Sequence, residues 1–249
     1  MDKRKGGRRK PRRDPEIDRR IESLIADSGL SRAVATQVAL GRIELNDVLK
    51  KLALQAEVDS LIRKHDVSRA LATQVALGQA DLEAVLFKRR LADHFTANGN
   101  RSVLQDALDS KKKLALSLHG QRDIEARITA LDRYEFHIEG GEEPIHKLQL
   151  KWAVDVMAKK KARRTLDWDK DRKGQPFEPI WKPQDRYTCS NRRLFGYLDR
   201  QTAVEVRLIE GEIFRGRVTW AGRFEFGLAV KNKIELVLFR HALVGLAEA

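Results

Sequence analysis

The segment Ser31–Gly41, SRAVATQVALG, returns at Ser68–Gly78 as SRALATQVALG, 37 residues later and with one change, Val34 to Leu71. A repeat of this period folds as copies of one small unit, and units of that size bury too little alone, so neighbouring copies must share a core. The echo extends outward, with Leu24-Ile25 matching Leu61-Ile62 and Asp47-Val48-Leu49 lining up with Ala84-Val85-Leu86. Ser31 and Ser68 suit helix N-caps, Gly41 and Gly78 suit helix ends, and Leu45, Val48, Leu49 and Leu52 recur at i, i+3, i+4 and i+7. Residues 21–95 are therefore expected to form two helical repeats, each of two or three short helices.

A turn before a short helix also fits a helix-turn-helix that would read duplex DNA. The repeated helices, however, present Thr36, Gln37, Thr73 and Gln74, with only Arg32 and Arg69 basic. A packing or docking module fits them better.

Charge narrows the function classes. The 249 residues hold 49 Lys and Arg against 36 Asp and Glu, a net charge of +13. A field of that sign draws polyanions, with nucleic acid first and an anionic membrane surface second. Aromatics make up 6% of the chain and charged residues 34%, which favours several small domains over one thick core. Residues 1–20, dense in Lys and Arg with Pro11 and Pro15, are expected to be a basic arm, disordered in isolation and able to follow phosphates. No apolar core follows the basic start, so it does not read as a signal peptide, and no run of about 18 apolar residues offers a membrane span. One cysteine, Cys189, leaves no intramolecular disulfide framework and suits a reducing cytosol, so the expected location is cytoplasmic. No phosphate loop, nucleophile motif or H-x-x-x-H pair is present, and His119, His137 and His146 share no obvious ligand face. The expectation is a chain that is not an enzyme and uses no cofactor or metal.

After Thr96–Asn100 the pattern changes, and it occurs twice. A short amphipathic helix through Val103, Leu104, Ala107 and Leu108 precedes alternating segments up to about residue 156. Residues 157–190, with three prolines and a basic cluster, read as a linker that Trp168, Phe177 and Trp181 could anchor. Residues 191–249 then repeat the helix and strands. At an offset of 90, Arg127-Ile128-Thr129 meets Arg217-Val218-Thr219, and Arg133-Tyr134-Glu135-Phe136 meets Arg223-Phe224-Glu225-Phe226. At an offset of 89, Leu150-Lys151-Trp152-Ala153-Val154 meets Phe239-Arg240-His241-Ala242-Leu243. Two tandem copies of one small β-domain, 100–156 and 191–249, are expected.

The second copy, through VEVRLIEGEIFRGRVTWAGRFEF with Gly211 and Gly216 and through LFRHAL, resembles the Sm-like fold and within it the Hfq RNA-chaperone branch. The first copy is similar but has Ala126 at the position of Gly216 and Trp152 opposite His241. OB and SH3-like barrels remain alternatives on strand pattern alone. The resemblance implies an α+β chain with two small, strongly bent barrels, each preceded by a short helix. It implies binding of single-stranded RNA in post-transcriptional regulation. Bases would stack on an aromatic from the loop after the third strand, here Phe224 beside Arg223, with Phe239, Arg240 and His241 lining a pore. The matching first-copy residues would be Tyr134 with Arg133, then Leu150, Lys151 and Trp152. Phe224 and Tyr134 fit an inward barrel core equally well. Lys111, Lys112 and Lys113 are candidate phosphate contacts at the rim, and Arg207, Arg215 and Arg217 a second RNA face, although Glu205, Glu210 and Glu212 interleave with them. Exposed strand edges imply either a three-chain ring of six domains or a monomer that stops at an intramolecular pair. A ribosome- or protein-docking factor is the competing function, and a nucleoid or transcriptional DNA binder the third.

Overall fold

The computed structural model describes residues 14–173 and 179–249. Most of the expected basic arm and Phe177 lie outside them. Contacts divide the chain into two units, residues 1–85 and 86–249. The expected boundary after residue 95 therefore falls inside a helix that joins the second unit.

The first unit holds α1 (Pro15–Ser28), α2 (Arg32–Ala39), α3 (Leu45–His65) and α4 (Arg69–Ala76), followed by the first turn of α5 (Leu82–Asn98). Helix formation starts at Pro15, inside the expected arm of residues 1–20, whose last six residues are therefore helical, because Asp14 caps the helix by accepting from the Glu16 amide. The 37-residue period holds to the residue. Ser31 and Ser68 each accept from the amide three residues on, and Gly41 and Gly78 follow at φ +66° and +69°. Each such cap stabilises its helix by about 1 kcal/mol. Ile21, Leu30, Ala35 and Ala39 form a small core, with Leu45 and Val48 packed against it. The outer half of the expected α3 stripe stays open, with Leu49 38% and Leu52 49% exposed.

In the second unit come α6 (Val103–Ser110), β1 (Lys113–Leu118), β2 (Arg122–Leu131), β3 (Glu135–Ile138), β4 (Ile145–His146) and β5 (Leu150–Asp155). The intervening segment carries α7 (Lys159–Arg163) and β6 (Asp167–Trp168). Then follow α8 (Asn191–Asp199), β7 (Ala203–Leu208), β8 (Glu212–Ala221), β9 (Glu225–Val230), β10 (Ile234–Phe239) and β11 (Leu243–Glu248). The class is α+β. In place of two separate barrels the strands make one continuous open sheet, ordered β11-β7-β8-β9-β10-β5-β1-β2-β3-β4, with β6 added on β8.

Register proves the internal duplication. Lys113 pairs with Arg127 as Ala203 pairs with Arg217, and Leu131 pairs with Phe136 as Ala221 pairs with Phe226. Even the bulges coincide: Thr129 and Thr219 are skipped between the second and third strands of their copies. The closing strands return to the first in the same way, Ala153 opposite Leu116 and Leu246 opposite Val206, with Lys151 and Val244 skipped. From the closing strand onward the offset is thus 93, and the expected offset of 89 is corrected. Gln149 accepts from the His119 amide as Ala242 accepts from that of Ile209, both at 2.9 Å. Lys147, not Lys151, is the counterpart of Arg240, and Leu148 that of His241.

At Gly216 a Cβ would stand 2.3 Å from the Ala229 carbonyl oxygen, so the strands can approach there only without a side chain. The first copy carries Ala126 at this position. Its third strand is also shorter, four residues against six.

The copies join where β5 pairs with β10, Ala153 opposite Val237 and Trp152 opposite Leu238. Trp152 and Val154 sink into the core of the second copy, while Trp220, Val237 and Phe239 enter that of the first. Lys151, 1% exposed, bonds both Glu210 and Glu212 across this seam, and Glu210 also accepts from the Gly120 and Gln121 amides. Burial alone would raise the Glu210 carboxyl, but His119, Lys151 and the Gly120 amide together hold it down at about 2.

Candidate nucleic-acid interface

The seam explains why three expected RNA contacts cannot serve. Lys151, Trp152 and Phe239 are 1%, 2% and 4% exposed, because the edge that would have faced a pore is where the copies pair. His241 is half-buried there and its Nε2 lies 2.7 Å from the Leu150 carbonyl oxygen. Burial depresses this imidazole to about 4 against the pull of that hydrogen bond, so it is neutral at physiological pH and supplies no cation to a phosphate.

Arg240 is also spoken for. Its guanidinium donates to the carbonyls of Gly222 (3.0 Å), Arg223 (3.2 Å) and Cys189 and to Asn191 Oδ1 (2.8 Å), and its amide donates to the Phe224 carbonyl at 2.8 Å. The first copy repeats the device with Lys147. Its ammonium bonds the Asp132 and Arg133 carbonyls, and its amide donates to the Tyr134 carbonyl at 2.8 Å. In each copy a basic residue thus clamps the three-residue connection between the second and third strands, 132–134 in the first copy and 222–224 in the second.

What the clamps present is an arginine beside an aromatic. Tyr134 is 58% and Phe224 69% exposed, which decides between core and surface for both. The turns precede the third strand of each copy, so these aromatics stand in the connection before that strand and not in the loop after it. The Arg133 guanidinium carbon lies 5.1 Å from the Tyr134 ring centre, and that of Arg223 lies 5.8 Å from Phe224. Both are within cation–π range, which holds the guanidinium beside a ring face. In the first copy the surface continues. The His146 ring lies parallel to Tyr134, with centres 6.4 Å apart and planes 3° apart, and Trp181 meets His146 edge-on at 4.9 Å. The apparent offset of 89 matches Arg240 with Lys151 and so conceals Lys147 and its neighbour His146 in the sequence. Trp181, an expected linker anchor, belongs to this surface through its ring contact with His146.

The remaining candidates divide. Lys111, Lys112 and Lys113 are exposed where α6 turns into β1. Arg215 pairs with Glu205 and Asp167, and Arg207 pairs with Glu205, so these two belong to a mixed-charge face, while Arg217 is exposed. Among the described residues no group of three or more His, Cys, Asp or Glu is placed to hold a metal ion, and no helix is long and apolar enough to cross a membrane. The chain matches no protein-family model, no curated protein and no solved structure.

Proposed function

We propose that this is a non-catalytic RNA-binding protein, akin to the Hfq branch of Sm-like RNA chaperones, that binds single-stranded RNA in the cytosol in post-transcriptional regulation. The observation that supports it is the duplicated turn. Two copies of one strand register each hold up an exposed aromatic with an arginine at its face, on a chain of net charge +13. Stacking on such a ring contributes about 1–3 kcal/mol per base and tolerates sequence, and the guanidinium beside it meets the phosphate. The short helix before each bent strand set and the glycine at Gly216 agree with the family.

The test is anisotropy of a labelled uridine-rich single strand against Tyr134→Ala/Phe224→Ala. Affinity should fall at least about tenfold, with weaker loss on duplex. Unchanged single-strand affinity, or equal loss on both ligands, overturns the reading.

A second reading, a ribosome- or protein-docking factor, draws on the first unit. Leu40 and Leu77, equivalent positions of the repeat, are 44% and 51% exposed, and Ile43 and Leu52 are open as well. Arg32 and Arg69 are engaged by Glu22 and Asp59, which weakens a DNA-reading role for the same helices.

A further inference from the structure

An open sheet has two end strands, and each presents unpaired N–H and C=O groups to any strand that can reach them. In this chain the ends are β11 and β4. One stretch of the linker touches both.

At β11, the Tyr187 hydroxyl lies 3.3 Å from the Leu246 carbonyl oxygen and 3.2 Å from the Leu246 amide nitrogen. Arg193 donates to the same carbonyl and to the Tyr187 hydroxyl, the latter at 2.9 Å. These are the groups of Leu246 that face away from β7. At β4, Trp181 packs edge-on against His146. Between the two contacts Arg186 stiffens the segment by donating to the Ile180 and Trp181 carbonyls at 2.8 and 2.7 Å.

The position of the Tyr187 contact is what makes it informative. Leu246 is the register counterpart of Ala153, opposite Val206 as Ala153 is opposite Leu116. Ala153 is where β10 of the second copy docks, opposite Val237. Tyr187 therefore occupies, on the second copy, the place that the neighbouring copy's strand occupies on the first.

We propose that the outer edge of β11 is a docking surface for a strand of a second copy of this chain, and that residues 179–187 hold it closed, leaving the chain a self-contained two-copy unit in place of a ring protomer. The matching strand of the second copy is its β4, the other end of the same sheet. The proposal does not depend on RNA, so it stands or falls separately from the function above.

Multi-angle light scattering over a wide concentration range tests it with the full chain. The wild type should keep the mass of one chain throughout. Tyr187→Phe, and more fully Tyr187→Phe/Arg193→Gln, should at least double the mass at the high end while circular dichroism stays that of the wild type. A wild type that already runs as three chains, or a folded double variant that remains a single chain, overturns the proposal. Hydrogen exchange gives a readout that needs no stable double variant. The Leu246 amide should exchange about tenfold more slowly in the wild type than in Tyr187→Phe. Equal rates overturn the cap.

Discussion

At the residue scale, burial separates the residues that hold the fold from those free to bind. Tyr134 and Phe224 are exposed, so replacing either with Ala should leave the melting temperature within about 1 °C while RNA affinity falls. Lys151 is the opposite case. Lys151→Met leaves Glu210 and Glu212 buried without their shared cation, and urea unfolding should show a loss of about 3–5 kcal/mol. Glu225 adds a pH signature. It is 3% exposed, and burial raises its carboxyl to about 7 even though the Val103 amide bonds it and favours the charged form. Its folded value lies above the ordinary 4.5, so between pH 4.5 and 7 the folded state holds the proton more tightly than the unfolded chain. This group's contribution is full below pH 4.5, is lost as pH rises, and is gone above about 7. Glu225→Gln should flatten that fall in unfolding free energy measured from pH 5 to 8. His241 acts on the acid side. It is depressed to about 4, so its contribution is present above pH 6.5 and is lost as pH falls toward 4. None of these environments was legible in a local stretch, because Lys151 and Glu210 are 59 residues apart and meet only across the seam.

At the element scale, periodicity read most of the helices and strands correctly. The caps at Ser31 and Ser68 and the glycines after them stand where the repeat put them, because helix ends are decided within a few residues. The closing strands obey no such local rule. The LKWAV and FRHAL segments look alike, but backbone bonds from His119 to Gln149 and from Ile209 to Ala242 set the true offset, four residues from the apparent one. Three residues present in the second copy and absent from the first fall between the third strand and the closing strand, and similarity of side chains could not locate that gap. Gly216 gives an element-scale prediction. Gly216→Val forces a Cβ onto the Ala229 carbonyl and should cost about 1–3 kcal/mol by chemical denaturation, whereas Ala126→Gly in the first copy should cost about 1 kcal/mol or less.

At the scale of the whole molecule, the division after residue 85 says where the chain can be cut. Removing residues 1–95 would delete His94, whose Nε2 lies 3.0 Å from the Ala221 carbonyl oxygen, and Arg90, which forks onto Asp199. A fragment beginning at Leu82 keeps both. It should unfold cooperatively in a thermal melt, while one beginning at residue 96 should melt several degrees lower. If RNA binding resides in the second unit, the longer fragment should retain it, with affinity falling steeply and linearly on a logarithmic salt scale.

Short stretches of sequence suffice for the local and the repetitive: two helical repeats, two β copies, an α+β class and a strongly basic charge, since periodicity and composition act residue by residue. Which edge each copy uses depends instead on long-range strand pairing. Pairing β5 with β10 buries Lys151, Trp152 and Phe239, whereas contacts inside each copy make Arg240 and Lys147 into clamps beside the exposed Phe224 and Tyr134. Burial is a property of what arrives from elsewhere in the chain, and for Lys151, Trp152 and Phe239 the arriving partner is the other copy.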